Sequence, residues 1–147
     1  MTTAPQLVIE DIALFERDVK LRMPFRFGVV TLTEAPQAFA RVRIRLDDGR
    51  TAEGMAAELL APKWFDKNTA LTNEQNFDQL RRSILIAADA YTSDAIPRST
   101  FDHFVARYRG QMEACGAEAL NPLVASYGPA LVEIGRASCR ERVLASV

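Results

Sequence analysis

Residues 39–58, FARVRIRLDDGRTAEGMAAE, carry the pattern that decides the fold. In the first half Ala40, Val42, Ile44 and Leu46 alternate with Arg41, Arg43 and Arg45. Successive side chains of a strand point to opposite faces, so this period of two predicts a strand with one buried face and one wet one. Asp47, Asp48 and Gly49 follow as a hairpin turn, because Asp-Gly accepts the positive φ angles that tight turns between twisted strands require. A strand from Arg50 to about Ala57 then runs back antiparallel, and Gly54 within it marks a bulge or a close backbone approach.

Towards the N-terminus, residues 7–21 are rich in Val, Ile, Leu and Phe. Ala13, Phe15, Val19 and Leu21 fall on one side of a period of two that Arg17 interrupts, which predicts a long, bulged first strand. The stretch LRMPFRFGVVTLTEAPQ (21–37) holds Pro24, Gly28 and Pro36, which break regular structure, around aromatic residues that a solvated loop does not need. It is expected to be a long loop with something to cover.

Beyond Leu60 the period becomes helical. Thr72 with Gln75 fits a capping box, and Phe77, Leu80, Ile84, Ala87, Ala88 and Tyr91 form the core stripe of a first helix. A second helix is expected from about Ser99 to Gly116, with Phe101, Phe104, Val105, Tyr108, Met112 and Cys115 on its inner side. Asn121 and Pro122 read as the cap and first position of a third, in which Leu123, Val124, Tyr127 and Leu131 are apolar and Gly128 and Pro129 introduce a kink. Strands first and helices after give an α+β class: a three-stranded antiparallel sheet followed by a helical bundle.

The final residues read differently. Residues 134–143, IGRASCRERV, back-translate in one frame as ATC GGA AGA GCG TCG TGT AGG GAA AGA GTG, a common oligonucleotide adapter used in preparing sequencing libraries. The same residues suit an amphipathic helix with Arg136, Arg140 and Arg142 on a solvated face. We take the adapter reading, expect the natural gene to stop contributing at about Glu133, and leave 134–147 out of functional argument as a non-native tail.

Of 147 residues, 48% are hydrophobic and 25% charged, which is ordinary for a globular domain. Eighteen basic residues stand against 19 acidic ones, and without the tail 15 against 18. A mildly acidic domain has no surplus of cations for phosphate contacts, so a nucleic-acid partner is not expected. No apolar run is long enough to span a bilayer and the N-terminus lacks a secretory pattern, so neither a membrane partner nor export is expected and the location is read as cytoplasmic. Cys115, without a partner outside the tail, reads as a small buried hydrophobe.

Phosphate loops, dinucleotide fingerprints, HExxH helices and paired cysteines do not occur in the sequence. His103, beside Asp102, reads as a surface or half-buried imidazole, since adjacent helical positions do not face each other. Asp47 and Asp48 have a sufficient reason in their turn. Glu53 and Glu58, like Arg41, Arg43 and Arg45, are explained by a wet strand face. Two segments remain: Phe25, Arg26 and Phe27 in one, and Lys63, Trp64, Phe65 and Asp66 of LAPKWFDKN (60–68) in the other. Their aromatic residues either pin the segments onto the sheet and helices or cover a ligand, since pockets are also lined by aromatics.

In its order of elements the chain resembles a known family. A first strand, a segment holding PFRFG, a strand ending in RVRIRLDDGRTAEG, a loop with APKW and then helices are similar to the N-terminal capping domain of the enolase superfamily, in the mandelate racemase and muconate lactonizing enzyme branch. The likeness spans 6–133. It implies a capping domain over 1–120, a lead-in helix over 121–133 and a following β/α barrel, which needs roughly 250 residues of its own. In the family the barrel holds the lysine or histidine bases and three magnesium-binding carboxylates, and the cation stabilises negative charge as a proton leaves the carbon beside a carboxylate. No Lys-x-Lys pair and no matching set of acids occurs here, so no catalytic residue and no metal ligand is assigned to this chain and no cofactor is expected in it. Magnesium, a small carboxylate substrate and a homo-oligomeric state are implied for the parent enzyme. The resemblance gives 22–31 and 59–67 the role of substrate-capping loops, with Phe25, Arg26, Phe27, Lys63 and Trp64 as the site residues. The alternative is a complete, non-enzymatic small-ligand binding or interaction module.

Overall fold

The computed structural model describes residues 4–144, without the side chains of 137, 138 and 140–144. Three strands, β1 (Leu7–Phe27), β2 (Val30–Leu46) and β3 (Thr51–Leu59), precede three helices, α1 (Asn73–Thr92), α2 (Thr100–Ala117) and α3 (Pro122–Leu144). The strands form one antiparallel sheet in the order β1-β2-β3. This is the α+β arrangement that the sequence pattern predicts. Ala40, Val42, Ile44 and Leu46 are buried under the helices, while Arg43 and Arg45 face out and pair with Glu53 and Glu10 at 2.9 and 2.7 Å. The turn closes as expected, with Gly49 at φ 86° and its amide donating to the Leu46 carbonyl at 3.0 Å.

β1 is long and bulged as expected, but its buried face and the reach of its pairing differ from the expectation. A register shift between Ile9 and Asp11 leaves Glu10 outside the pairing. One extra residue exchanges the faces of everything after it. Ile12 and Leu14 therefore turn to the core, and Phe15 and Arg17 lie on the outer face, where Arg17 sits over the Phe39 ring and Arg41 over Phe15. Arg17 interrupts nothing.

The expected loop over 21–37 is instead a continuation of the hairpin. β1 and β2 pair out to Phe27 and Val30 and turn at Gly28, whose φ is 54°. The two prolines are accommodated for different reasons. Pro24 lies on an edge strand, within the register shift between Lys20 and Phe25. The Pro36 carbonyl accepts from Leu60, just past the last β2–β3 pair at Gln37 and Leu59, so its missing N–H falls where the ladder has ended.

The α1 capping box is complete, with Gln75 N donating to Thr72 Oγ1 at 3.2 Å and Thr72 N to Gln75 Oε1 at 2.7 Å. The whole predicted stripe of α1 is buried. α2 starts after Ser99 as expected, but of its expected inner side only Cys115 is fully buried. The buried residues are His103, Gln111 and Cys115, whereas Phe101, Val105 and Tyr108 are exposed. The polar residues turn inward because the interior presents backbone carbonyls, those of Leu7, Ser83 and Ala125, for them to bond.

Asn121 Oδ1 caps α3 by accepting from the amides of Leu123 and Val124 at 2.9 and 3.0 Å. The helix packs on β2, β3, α1 and α2 and runs unbroken through Pro129 and past Glu133. At Gly135 a Cβ would stand 3.0 Å from Val42 Cγ2, and Cys139 is buried with its thiol 3.4 Å from the Val42 carbonyl. The remainder of the expected non-native tail, 145–147, lies outside the described residues. No helix among those described is long and apolar enough to cross a membrane.

Candidate functional site

The tip of the β1–β2 hairpin folds towards the segment that leaves β3. Phe27 meets Trp64 edge to face with centroids 5.1 Å apart, and Phe25 packs on Phe27 at 5.6 Å. Side chains two apart on a strand share a face, so Phe25 and Phe27 arrive together and Arg26, between them, projects to the other side. The segment carrying Trp64 is held by its own polar bonds. Asp66 accepts from the amide of Asn68 at 2.9 Å and from Gln79 Nε2 at 3.0 Å. The Asn68 bond and then the Gln79 bond hold the Asp66 carboxyl below its ordinary range.

Lys63 fixes the loop that carries Trp64. Its backbone sits in the left-handed region at φ 63°, its amide donates to Asn76 Oδ1 at 3.1 Å, and its ammonium donates to the carbonyls of Asn68 and Leu71. Strain at a non-glycine residue persists only where surrounding bonds fix it. Lys63 is thus a clamp of the loop.

Between hairpin and loop lies a pocket of about 420 Å3, walled by Phe25, Phe27, Leu32, Leu59, Trp64, Phe65, Tyr127 and Leu131, with Glu58 as its charged side chain. Its floor belongs to α3. Phe65 stacks edge to face on Tyr127 at 5.0 Å, and the Tyr127 hydroxyl donates to the Leu59 carbonyl at 3.1 Å. Burial raises the Tyr127 hydroxyl above its ordinary pKa, and the nearby Glu58 charge adds to the rise. An adjoining cleft of about 630 Å3 shares Phe27 and Trp64 and includes Val29, Lys63 and Lys67.

The structure therefore brings together Phe25, Phe27 and Trp64 of the five expected site residues, while Arg26 and Lys63 do not line the same pocket. It adds Glu58, Phe65 and Tyr127. From the sequence, Glu58 reads as a wet-face residue and Tyr127 as part of a helical stripe. Only the third dimension shows that both face the aromatic segments.

Elsewhere, His103 is fully buried rather than at the surface or half-buried, with Nε2 donating to the Leu7 carbonyl at 2.9 Å. Asp102 instead serves the α2 cap, its carboxylate accepting from Ser99 Oγ at 2.6 Å. No three His, Cys, Asp or Glu residues converge among the described residues. The magnesium that the resemblance implies has no ligand set among them.

The chain matches no model of a known protein family and no curated protein. What the pocket can do follows from its walls: enclose an apolar group and present one carboxylate to it.

Proposed function

We propose that this chain is the substrate-capping domain of a magnesium-dependent enolase-superfamily enzyme. The parent enzyme would be a cytoplasmic homo-oligomer acting on a small carboxylate by removing the proton beside the carboxyl group, with racemisation, dehydration or cycloisomerisation as the outcome. One observation carries the reading. Two segments far apart in sequence, ending in Phe25–Phe27 and Trp64, converge on one apolar pocket against α3. That is what a cap needs in order to shape the far end of a substrate while another domain does the chemistry. The chain alone is inactive on this reading, since its sequence has no Lys-x-Lys pair and its described residues offer no metal ligand set.

A second reading, a complete non-enzymatic small-ligand module, is favoured by the fact that the pocket is walled by this chain's own residues. The natural locus separates them. The capping role requires an open frame after the Glu133 codon that continues into a β/α barrel with a lysine pair and spaced acids. A stop codon there would remove it, and codons for 134–143 unlike those of the adapter would remove the argument that the chain is cut at Glu133.

A further inference from the structure

The pocket pairs aromatic walls with one formal charge. Phe25, Phe27, Trp64, Phe65 and Tyr127 line it, Glu58 joins them, and no lysine or arginine is among its described lining residues. Aromatic faces attract cations through the negative side of the ring quadrupole, most strongly for Trp and for cations that shed water readily. Glu58 Oε1 accepts from the amide of Leu59 at 3.0 Å, and an ionised carboxylate has capacity for further contacts. Glu58 and Tyr127 line the same pocket, which sets the charge beside its aromatic floor. An anionic group entering here would meet Glu58 with no cation among the described lining residues to offset it, and Lys63 of the adjoining cleft has its ammonium bonded to the Asn68 and Leu71 carbonyls.

We propose that this pocket binds a small organic cation through an alkylated ammonium group, set among the aromatic rings and opposite Glu58. An alkylated ammonium carries its charge on an apolar shell, which suits a largely apolar cavity better than a primary ammonium that must keep its hydrogen bonds. Only the word substrate rests on the capping reading: under it, the ammonium is the distal end of the substrate and the reacting carboxylate points out of the pocket.

Trp64 is the sole tryptophan of the chain, so its fluorescence reports on the pocket directly. The 147-residue chain is titrated with choline and with 3,3-dimethylbutan-1-ol, which has the same shape and no charge. Choline is expected to give a saturable change with about tenfold tighter binding than the neutral isostere. Glu58→Gln, an isosteric change at an exposed position, is expected to reduce that preference severalfold with an unaltered circular dichroism spectrum. Equal or tighter binding of the isostere, no saturable response to choline, or a preference unchanged in Glu58→Gln would each overturn the proposal. A locus without a barrel would end the capping role and leave the binding result standing, whereas equal binding of the two probes would do the reverse.

Discussion

Gly128 is laid directly on Ser83: its amide donates to Ser83 Oγ at 3.0 Å, and a Cβ at 128 would stand 2.1 Å from the Ser83 carbonyl oxygen. The contact follows from the next residue. Pro129 has no N–H to offer the Ala125 carbonyl one turn earlier. Ser83 Oγ and Gln111 Nε2 supply the missing donors, each at 3.1 Å from that carbonyl. One proline in α3 thereby ties α1, α2 and α3 at a single point, and the absence of a side chain at 128 lets α1 come close enough to reach it.

Gly128→Ala should therefore force α1 and α3 apart. The expected loss is about 3 kcal/mol of unfolding free energy, at the upper end of ordinary overpacking. Urea denaturation reads it as a lower midpoint with an unchanged slope. A loss below about 1 kcal/mol would mean that the two helices separate at little cost and that the tie does not set their spacing.

Arg136 is the opposite kind of neighbour. It is buried, ion-paired to Glu133, and its Nε and Nη1 have no partner among the described residues. Burial lowers its pKa and, at the adjacent Tyr91, pushes the hydroxyl up to about 12. Replacing a buried, incompletely bonded ion pair by neutral residues of similar volume is often stabilising. The double variant Glu133→Gln, Arg136→Met should be more stable by about 1–2 kcal/mol. A less stable double variant would show that the pair belongs in this core. Among the described tail residues, Gly135 and Cys139 fit their surroundings closely, and the incompletely bonded group is Arg136.

The contrast between α1 and α2 shows what the sequence could reveal. α1 was legible because its inner face is apolar, so the hydrophobic period and the buried face coincide. The span of α2 and its buried Cys115 were legible but the rest of its inner face was not, because His103 and Gln111 are needed inside to bond carbonyls that other elements leave there, and no local pattern announces a demand set by residues 83 and 125. The sheet was legible at β2, where alternation is strict, and misleading at β1, where the bulge at Glu10 exchanges the faces. Of the pocket, Phe25, Phe27 and Trp64 stood out as large residues without local reason. Glu58 and Tyr127 already had sufficient explanations in their own strand and helix.

Two acid transitions are expected. Burial lowers the His103 pKa, with the Leu7 hydrogen bond opposing and the Arg98, Arg136 and Arg107 charges assisting. A lowered folded pKa means that the unfolded chain binds the proton first, so this stability is complete above about pH 6.5 and is lost as pH falls below it. Asp94 accepts from Arg98 at 2.8 Å and also from Arg107, bonds that hold its carboxyl well below the usual range. That contribution is complete above about pH 4 and fades at lower pH. Urea midpoints from pH 8 to 3 should fall in two steps, the upper absent in His103→Gln and the lower reduced in Asp94→Asn. A flat profile between pH 6.5 and 5 would contradict the placement of a neutral, buried His103.

With its polar residues inward, α2 turns Phe101, Val105 and Tyr108 to solvent, 70%, 55% and 46% exposed. Spaced i, i+4 and i+7, they share one side of the helix. Contiguous apolar surface of this kind drives association. The isolated chain is expected to bind a hydrophobic dye and to elute from a sizing column ahead of a monomer, and Phe101→Lys with Val105→Glu should lower both signals. These positions are exposed, so the folded circular dichroism spectrum should persist in the double variant. A dye-silent monomer would show that the helix face is tolerated by water as it stands, and would count against a cap that normally packs on a larger body.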